Sequence, residues 1–409
     1  MHRSTVFIAL LVVHVALVGP VRADPSVQEG ARLVAAVEPY DVARVAAAIG
    51  DRRIVLLGEN GHGVAAFSAI KAELVRYLHE HLGFEVVAFE SGFHECRRAD
   101  ARITTQSLRA TFHDCLIYQL EHAEIEPLLA YARSTRGTAR PLVIAGIDLQ
   151  VQGVATRTRP AFLRAALHRA PSLADSVARL DSILIERALA SPDSMRAWVR
   201  EHGRDLKVLY DSGAALTTGD TSWTFRTASA LMRRELHRVA ALSFGLDAPS
   251  DVYAIRDEWM ARTIAHLAGG EAGTRKVVVW LHNDHARYGE WRAGPLRVRA
   301  AGQLVRDWFP EQVCSVGFLM GGGTFADNSR RARTVPDQPA GSIEATMRRA
   351  GFPVAFLRLG PSASREVRDW AGVDRPYIRG PDIFRMRPGH EFDALIYVDR
   401  VSVANFVQR

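Results

Sequence analysis

Six side chains in this sequence can move protons or grip a polarised carbonyl, and each closes an apolar run. Glu59 and His62 follow Ile54-Val55-Leu56-Leu57-Gly58, Glu90 follows Val86-Val87-Ala88-Phe89, and Asp148 follows Leu142 to Ile147. His282 and His285 follow Val277 to Leu281. A carboxylate three residues from an imidazole, as in Glu59-Asn60-Gly61-His62, can orient the ring and raise its basicity, which suits a general base acting on water. Gly58, Gly61 and Gly63 let that loop turn sharply and approach a ligand. The histidines of His282-Asn283-Asp284-His285 suit acid–base work or metal ligation. Arg287, charged at any relevant pH, can stabilise an oxyanion. Lys71 sits at the edge of a helical stripe of Phe67, Leu74 and Leu78, and either aims its charge into the site or extends to solvent.

Other chemistries lack their motifs. There is no Gly-x-Ser-x-Gly elbow for a serine nucleophile, no HExxH order and no CxxC pair. Gly321-Gly322-Gly323 opens no helix and is not a nucleotide fingerprint. Arginine is spread without a dense basic run, and lysine occurs only at Lys71, Lys207 and Lys276, so the net charge of +7 does not point to nucleic acid.

Something must bring the six side chains together. Apolar runs that alternate with helical periodicity predict an α/β fold, a mostly parallel central sheet flanked by helices, whose carboxyl strand ends form a ligand-binding edge. Residues 24–151 read as the first part of this core and 247–409 as the second. Between them, 152–246 show no strand pattern but long amphipathic stretches, which predict a helical insertion subdomain over the strand C-terminal edge. Ser26 to Ile49 and Leu296 to Trp308 read as helices, and Gly360 to Gly389 as loop-rich.

Residues 1–23 have a basic head, an apolar run from Val6 to Val18 and a small-residue cleavage site at Val21-Arg22-Ala23, and read as a secretory signal peptide. Its removal takes Arg3 and Arg22 and leaves a formal charge of 7 − 2 = +5. The expected location is secreted or periplasmic, with no stable membrane association after cleavage. Such a compartment permits one disulfide. Cys96 and Cys115 are the expected pair, with Cys314 an inert core thiol.

At the residues named above the chain resembles the erythromycin esterase family. Members carry a Gly-Glu-x-x-His-Gly loop after a first strand, a basic residue two helical turns on and a Gly-Phe-x-x-x-Ala-x-Glu strand. An Arg-Asp-x-x-Met-Ala helix and a Trp-x-His-Asn-x-His strand end follow. Here these are Gly58-Glu59 with His62-Gly63, Lys71, Gly83-Phe84 with Ala88 and Glu90, Arg256-Asp257 with Met260-Ala261, and Trp280 with His282-Asn283 and His285. Gly146-Ile147-Asp148 and Phe392 to Ile396 also look like family elements. Gly61 stands where Thr or Ser is usual, and Lys71 where Arg is usual.

The resemblance implies a helical subdomain over a cleft and hydrolysis of an ester, in known cases the macrolactone of macrolide antibiotics, without a covalent intermediate. Carried over, His62 activates water, Glu59 and Glu90 position it, and His285 with a basic side chain such as Lys71 polarises the carbonyl or protonates the leaving alkoxide. His282, Asp148 and Arg287 are the expected substrate-binding residues. The reading is thus an exported hydrolase of a small-molecule ester or lactone, with antibiotic resistance among its expected roles, a large apolar cleft, and no metal or cofactor. Two alternatives stay open: a divalent-metal hydrolase using Glu59, His62, Glu90 and His285, and a non-catalytic periplasmic binder of a large apolar ligand such as a porphyrin.

Overall fold

The structure is a computed structural model that describes residues 31–151, 154–246, 249–269, 274–293 and 295–407. The expected signal peptide, residues 1–23, lies outside them.

Eight strands form the central sheet: β1 (Glu38–Pro39), β2 (Ile54–Leu57), β3 (Val86–Gly92), β4 (Val143–Asp148), β5 (Val277–Trp280), β6 (Val313–Met320), β7 (Val354–Arg358) and β8 (Ala394–Val398). Their order is β1-β7-β8-β6-β2-β5-β3-β4. From β8 to β4 every pairing is parallel, while β7 runs antiparallel to both its neighbours. The expected mostly parallel sheet is therefore present.

Strands covered on both faces read as continuous apolar runs, and alternate residues go to opposite sides. Val55, Leu57, Val87, Phe89, Val278 and Trp280 join one core cluster. Ile54, Leu56, Val86, Ala88, Val277 and Val279 join the other. Helix α1 (Ala65–Leu82) covers the first face with Phe67, Leu74, Val75 and Leu78, and ends at Gly83, whose left-handed φ of 75° suits glycine. Helix α5 (Ser250–Gly269) covers the second with Met260, Ala261, Ile264 and Ala268.

Between β4 and β5 come α2 (Pro171–Ala190), α3 (Pro192–Ala215) and α4 (Gly219–Ser243), with no strand among the described residues. Proline opens α2 and α3, where its missing N–H costs nothing. These helices bury their own cluster around Leu206, Tyr210 and Phe225, which Ile255 and Trp259 of α5 also join.

Three local expectations are corrected. The stretch from Ser26 to Ile49 is not one helix, because Glu38–Pro39 pairs with β7 and a capped helix restarts at Val42–Ile49. Leu296–Arg299, an alternating Leu-Arg-Val-Arg, is a strand paired with Glu290–Ala293, and only Ala301–Trp308 is helical. The stretch from Gly360 to Gly389 holds a helix (Arg365–Ala371) and a hairpin of Arg375–Arg379 with Asp382–Met386. A third two-stranded hairpin pairs Thr324–Ala326 with Ala332–Thr334. Cys96 and Cys115 are joined in a disulfide, and Cys314 is free and buried. No helix of the described residues is long and apolar enough to cross a membrane.

Candidate active site

Register puts the chemistry at one edge. Leu57 and Phe89 both lie opposite Trp280, so β2, β5 and β3 end level and their next residues emerge together. Asn283 locks the edge: its backbone N–H donates to Glu59 O at 2.7 Å and its Nδ2 to Phe318 O at 2.9 Å. A Cβ on Gly58 would sit 2.1 Å from Asn283 Oδ1, so only glycine lets the two loops meet.

Glu59 is buried and doubly engaged. Its Oε1 lies 2.7 Å from His62 Nδ1 and its Oε2 accepts from Lys71 Nζ at 2.6 Å. Burial alone would raise the Glu59 carboxyl, but Lys71 and His62 overcome it and bring it to about 2. Burial pushes His62 down, yet the bond to Glu59 and the charges of Glu59 and Glu90 leave it raised above 6.5. Lys71 is wholly buried, 4.8 Å from the Trp280 ring centre and 5.3 Å from that of Phe318. It stands behind Glu59 and away from the cleft, and burial lowers it against the pull of Glu59 and Glu90.

The second half of the site is built around Glu90 and Arg256. Glu90 Oε1 accepts from Arg256 Nη2 at 2.7 Å, and its Oε2 from the His282 N–H at 2.8 Å. Burial raises Glu90, but His285, Arg256 and His62 hold it well below the usual carboxylate range. Arg256 also reaches Asp148 Oδ2 at 2.7 Å and donates to His285 Nε2 at 3.0 Å. His285 Nδ1 meets Asp257 Oδ1 at 2.8 Å. Burial lowers His285, but Asp257 and Glu90 outweigh burial and Arg256 and leave it raised. His282 goes the other way, lowered by burial.

These groups floor a cleft of ≈ 1020 Å³. His62, Glu90, Arg256, His282, Asp284 and His285 line it. Its outer wall comes from the three hairpins and their tips, through residues such as Trp291, Phe325, Asp327, Arg379 and Phe384. The expected large apolar cleft is thus corrected to a polar one with aromatic patches. No lining residue comes from α2, α3 or α4; their link to the site runs through α5, which carries Arg256.

Of the residues singled out in the sequence, His62, Glu90, His282 and His285 meet at the cleft floor, and Glu59 lies buried behind His62. Asp148 is sealed beneath it under Arg256. Arg287, expected beside substrate, is turned away: it is buried, with Nη2 on the Tyr377 hydroxyl at 2.9 Å and on Glu391 at 3.0 Å. Burial would lower it, but Tyr377 and Glu391 raise it. Arg256 and Asp257 were present only as a sequence motif and emerge as partners of Glu90 and His285. The signal for Asp257 was its place on the stripe with Met260, Ala261 and Ile264, where a carboxylate needs a reason to be buried. Among the described residues no three His, Cys, Asp or Glu side chains group as a metal site, and Glu59 and Glu90 are already matched to Lys71 and Arg256.

Comparison with known proteins bears on the fold and the family. YbfO of Bacillus subtilis (strain 168), named as a candidate hydrolase, is 22% identical over 382 residues, 86% of this chain and 84% of its own length. Erythromycin esterase type II of Escherichia coli is 49% identical over 47 residues, 12% of this chain and 11% of that protein. Among solved structures, a succinoglycan biosynthesis protein superposes with a TM-score of 0.77 at 17% identity, covering 94% of this chain and 99% of that one. A mutant of the erythromycin esterase EreC in its open conformation gives 0.67 at 18%, covering 92% and 98%. At these identities the structures establish the shared fold alone. The Erythromycin esterase family profile matches residues 79–401, a span that takes in Glu90, Arg256 and His285 and begins after the His62 loop. With most of its length matched, the chain belongs to the erythromycin esterase family.

Proposed function

We propose that this protein hydrolyses an ester or lactone with water activated by His62. The observation that carries the reading is the pairing of His62 Nδ1 with Glu59 at 2.7 Å inside the cleft, which leaves Nε2 as the nitrogen to meet water. Nε2 takes a proton from water as the oxygen attacks the carbonyl carbon. The resulting oxyanion is held by Arg256, whose guanidinium is fixed by Glu90, Asp148 and His285 Nε2. Collapse breaks the carbon–oxygen bond, and the His62 imidazolium returns its proton to the departing alkoxide. No covalent intermediate with the protein is needed.

Export belongs to the same proposal. The Cys96–Cys115 disulfide and the signal-like residues 1–23 support a secreted or periplasmic location. The test is to incubate the purified protein with simple esters, lactones and macrolides, with and without chelator, and to look by mass spectrometry for gain of one water. Turnover that survives chelator and disappears in His62→Ala is the expected result. Turnover unchanged in His62→Ala, or abolished by chelator, would overturn it.

A further inference from the structure

Ile378, in the strand Arg375–Arg379, is gripped along one peptide edge by two side chains. Its N–H donates to Glu344 Oε1 at 2.8 Å and its carbonyl accepts from Asn60 Nδ2 at 2.8 Å. The N–H and C=O of one extended residue point the same way, so Glu344 and Asn60 lie side by side against that edge. Both are wholly buried. Each has one oxygen left over, for among the described residues Glu344 Oε2 and Asn60 Oδ1 have no hydrogen-bond partner. Buried polar atoms are normally satisfied, and an ionised carboxylate can only accept.

We propose that Glu344 is a neutral carboxylic acid in the folded protein, and that its Oε2–H donates to Asn60 Oδ1. That proton closes a ring of three hydrogen bonds: Ile378 N–H to Glu344, Glu344 O–H to Asn60, and Asn60 N–H back to the Ile378 carbonyl. Three donors then meet three acceptors with nothing unsatisfied.

The surroundings favour this state because every nearby charge is already engaged. Tyr377 and Arg379, on either side of Ile378, are bonded to Arg287 and Asp284. Arg348, on the helix that carries Glu344, is bonded to Asp399, and Glu59, next to Asn60, to Lys71 and His62. Burial lifts the Glu344 carboxyl to about 7, the bond from Ile378 being the main effect that opposes it.

Asn60 sits between Glu59 and His62, and its carbonyl also accepts from the Gly380 N–H at 2.9 Å. The ring therefore fastens the His62 loop to the hairpin whose Arg379, Gly380 and Phe384 line the cleft. Calling Glu344 a positioning residue rests on His62 being the base; the ring itself does not.

The test uses E344Q, whose amide N–H can replace the acid proton at any pH. A neutral acid with a raised folded value stabilises the protein at low pH, and that advantage is lost as pH rises from about 4.3, its unfolded value, to about 7. The melting temperature of wild type should therefore match that of E344Q near pH 4.5, fall below it through this window, and run parallel above it. Infrared difference spectra of wild type against E344Q near pH 6 should show a protonated-carboxyl C=O band in the wild type that disappears at alkaline pH. E344M, which also removes the carboxyl, gives the same comparison should E344Q not fold. A melting difference independent of pH, or no such band, would overturn the proposal. Neither readout needs a substrate, so failure to find turnover leaves both intact. Once a substrate is known, E344A should lose on the order of tenfold in kcat/KM while E344Q retains it. Equal losses in both would exclude the positioning role.

Discussion

Of the three histidines that line the cleft, His62 and His285 are each backed by a carboxylate on Nδ1, but the two carboxylates are held differently. Glu59 shares itself between His62 and the buried ammonium of Lys71. Asp257 accepts from His285 and from the Ala301 N–H at 2.9 Å through one oxygen, and its other oxygen is buried without a hydrogen bond. At the far nitrogens the contrast reverses. Arg256 donates to His285 Nε2, whereas among the described residues no cation is bonded to the corresponding nitrogen of His62. The lesson is that the pair with a charged support keeps its ring free for proton transfer, and the pair with a backbone support has its ring occupied. His62 therefore fits a base that cycles, and Arg256, held in place by His285, fits a fixed partner of the carbonyl oxygen.

Substitution of the rings tests the contrast most severely. His62→Ala should lower kcat/KM by about 10²–10⁴-fold, and His285→Ala by clearly less; equal losses measured by steady-state kinetics would erase the distinction. Next comes stability. Lys71→Met leaves Glu59 buried without its cation and should cost about 3–5 kcal/mol in urea unfolding, whereas Asp257→Asn should cost only about 1–3 kcal/mol. A smaller effect should appear in catalysis: Asp257→Asn removes the acceptor that orients His285 and should reduce kcat by about tenfold or more, with the His285 titration in NMR moving down. The smallest effect is a shift along the pH axis. Because the His62 value is raised, kcat/KM should climb with pH along a limb centred above 6.5. Glu59→Gln removes the charge that raises it, so the limb should move to lower pH even as the rate falls. A limb that stays in place would detach the pH dependence from this pair.

Much of the sheet and of the cleft floor could be read in the sequence, because both rest on local signals. Strands such as Val277 to Trp280 are buried on both faces and stand out as unbroken apolar runs that end in polar residues. Arg256 gave no such signal, since one arginine among many on a helix looks like solvent cover until Glu90, Asp148 and His285 are seen around it. Arg287 misled for the opposite reason: nearness to His285 in sequence said nothing of Tyr377 and Glu391, which arrive from a distant hairpin and helix. The hairpin at Arg375–Met386 is short, and its Gly380-Pro381 turn made the stretch look like loop.

The hairpins on the cleft wall lie outside the central sheet, whose strand ends lead into Glu59, His62 and Glu90. A change at a hairpin tip such as Asp327 to Ser329 would alter what a ligand touches without moving Glu59, His62 or Glu90. The architecture thus separates recognition from reactivity. It lets one hydrolytic apparatus be refitted to new molecules by exchanging peripheral ribbons, at little cost to foldability.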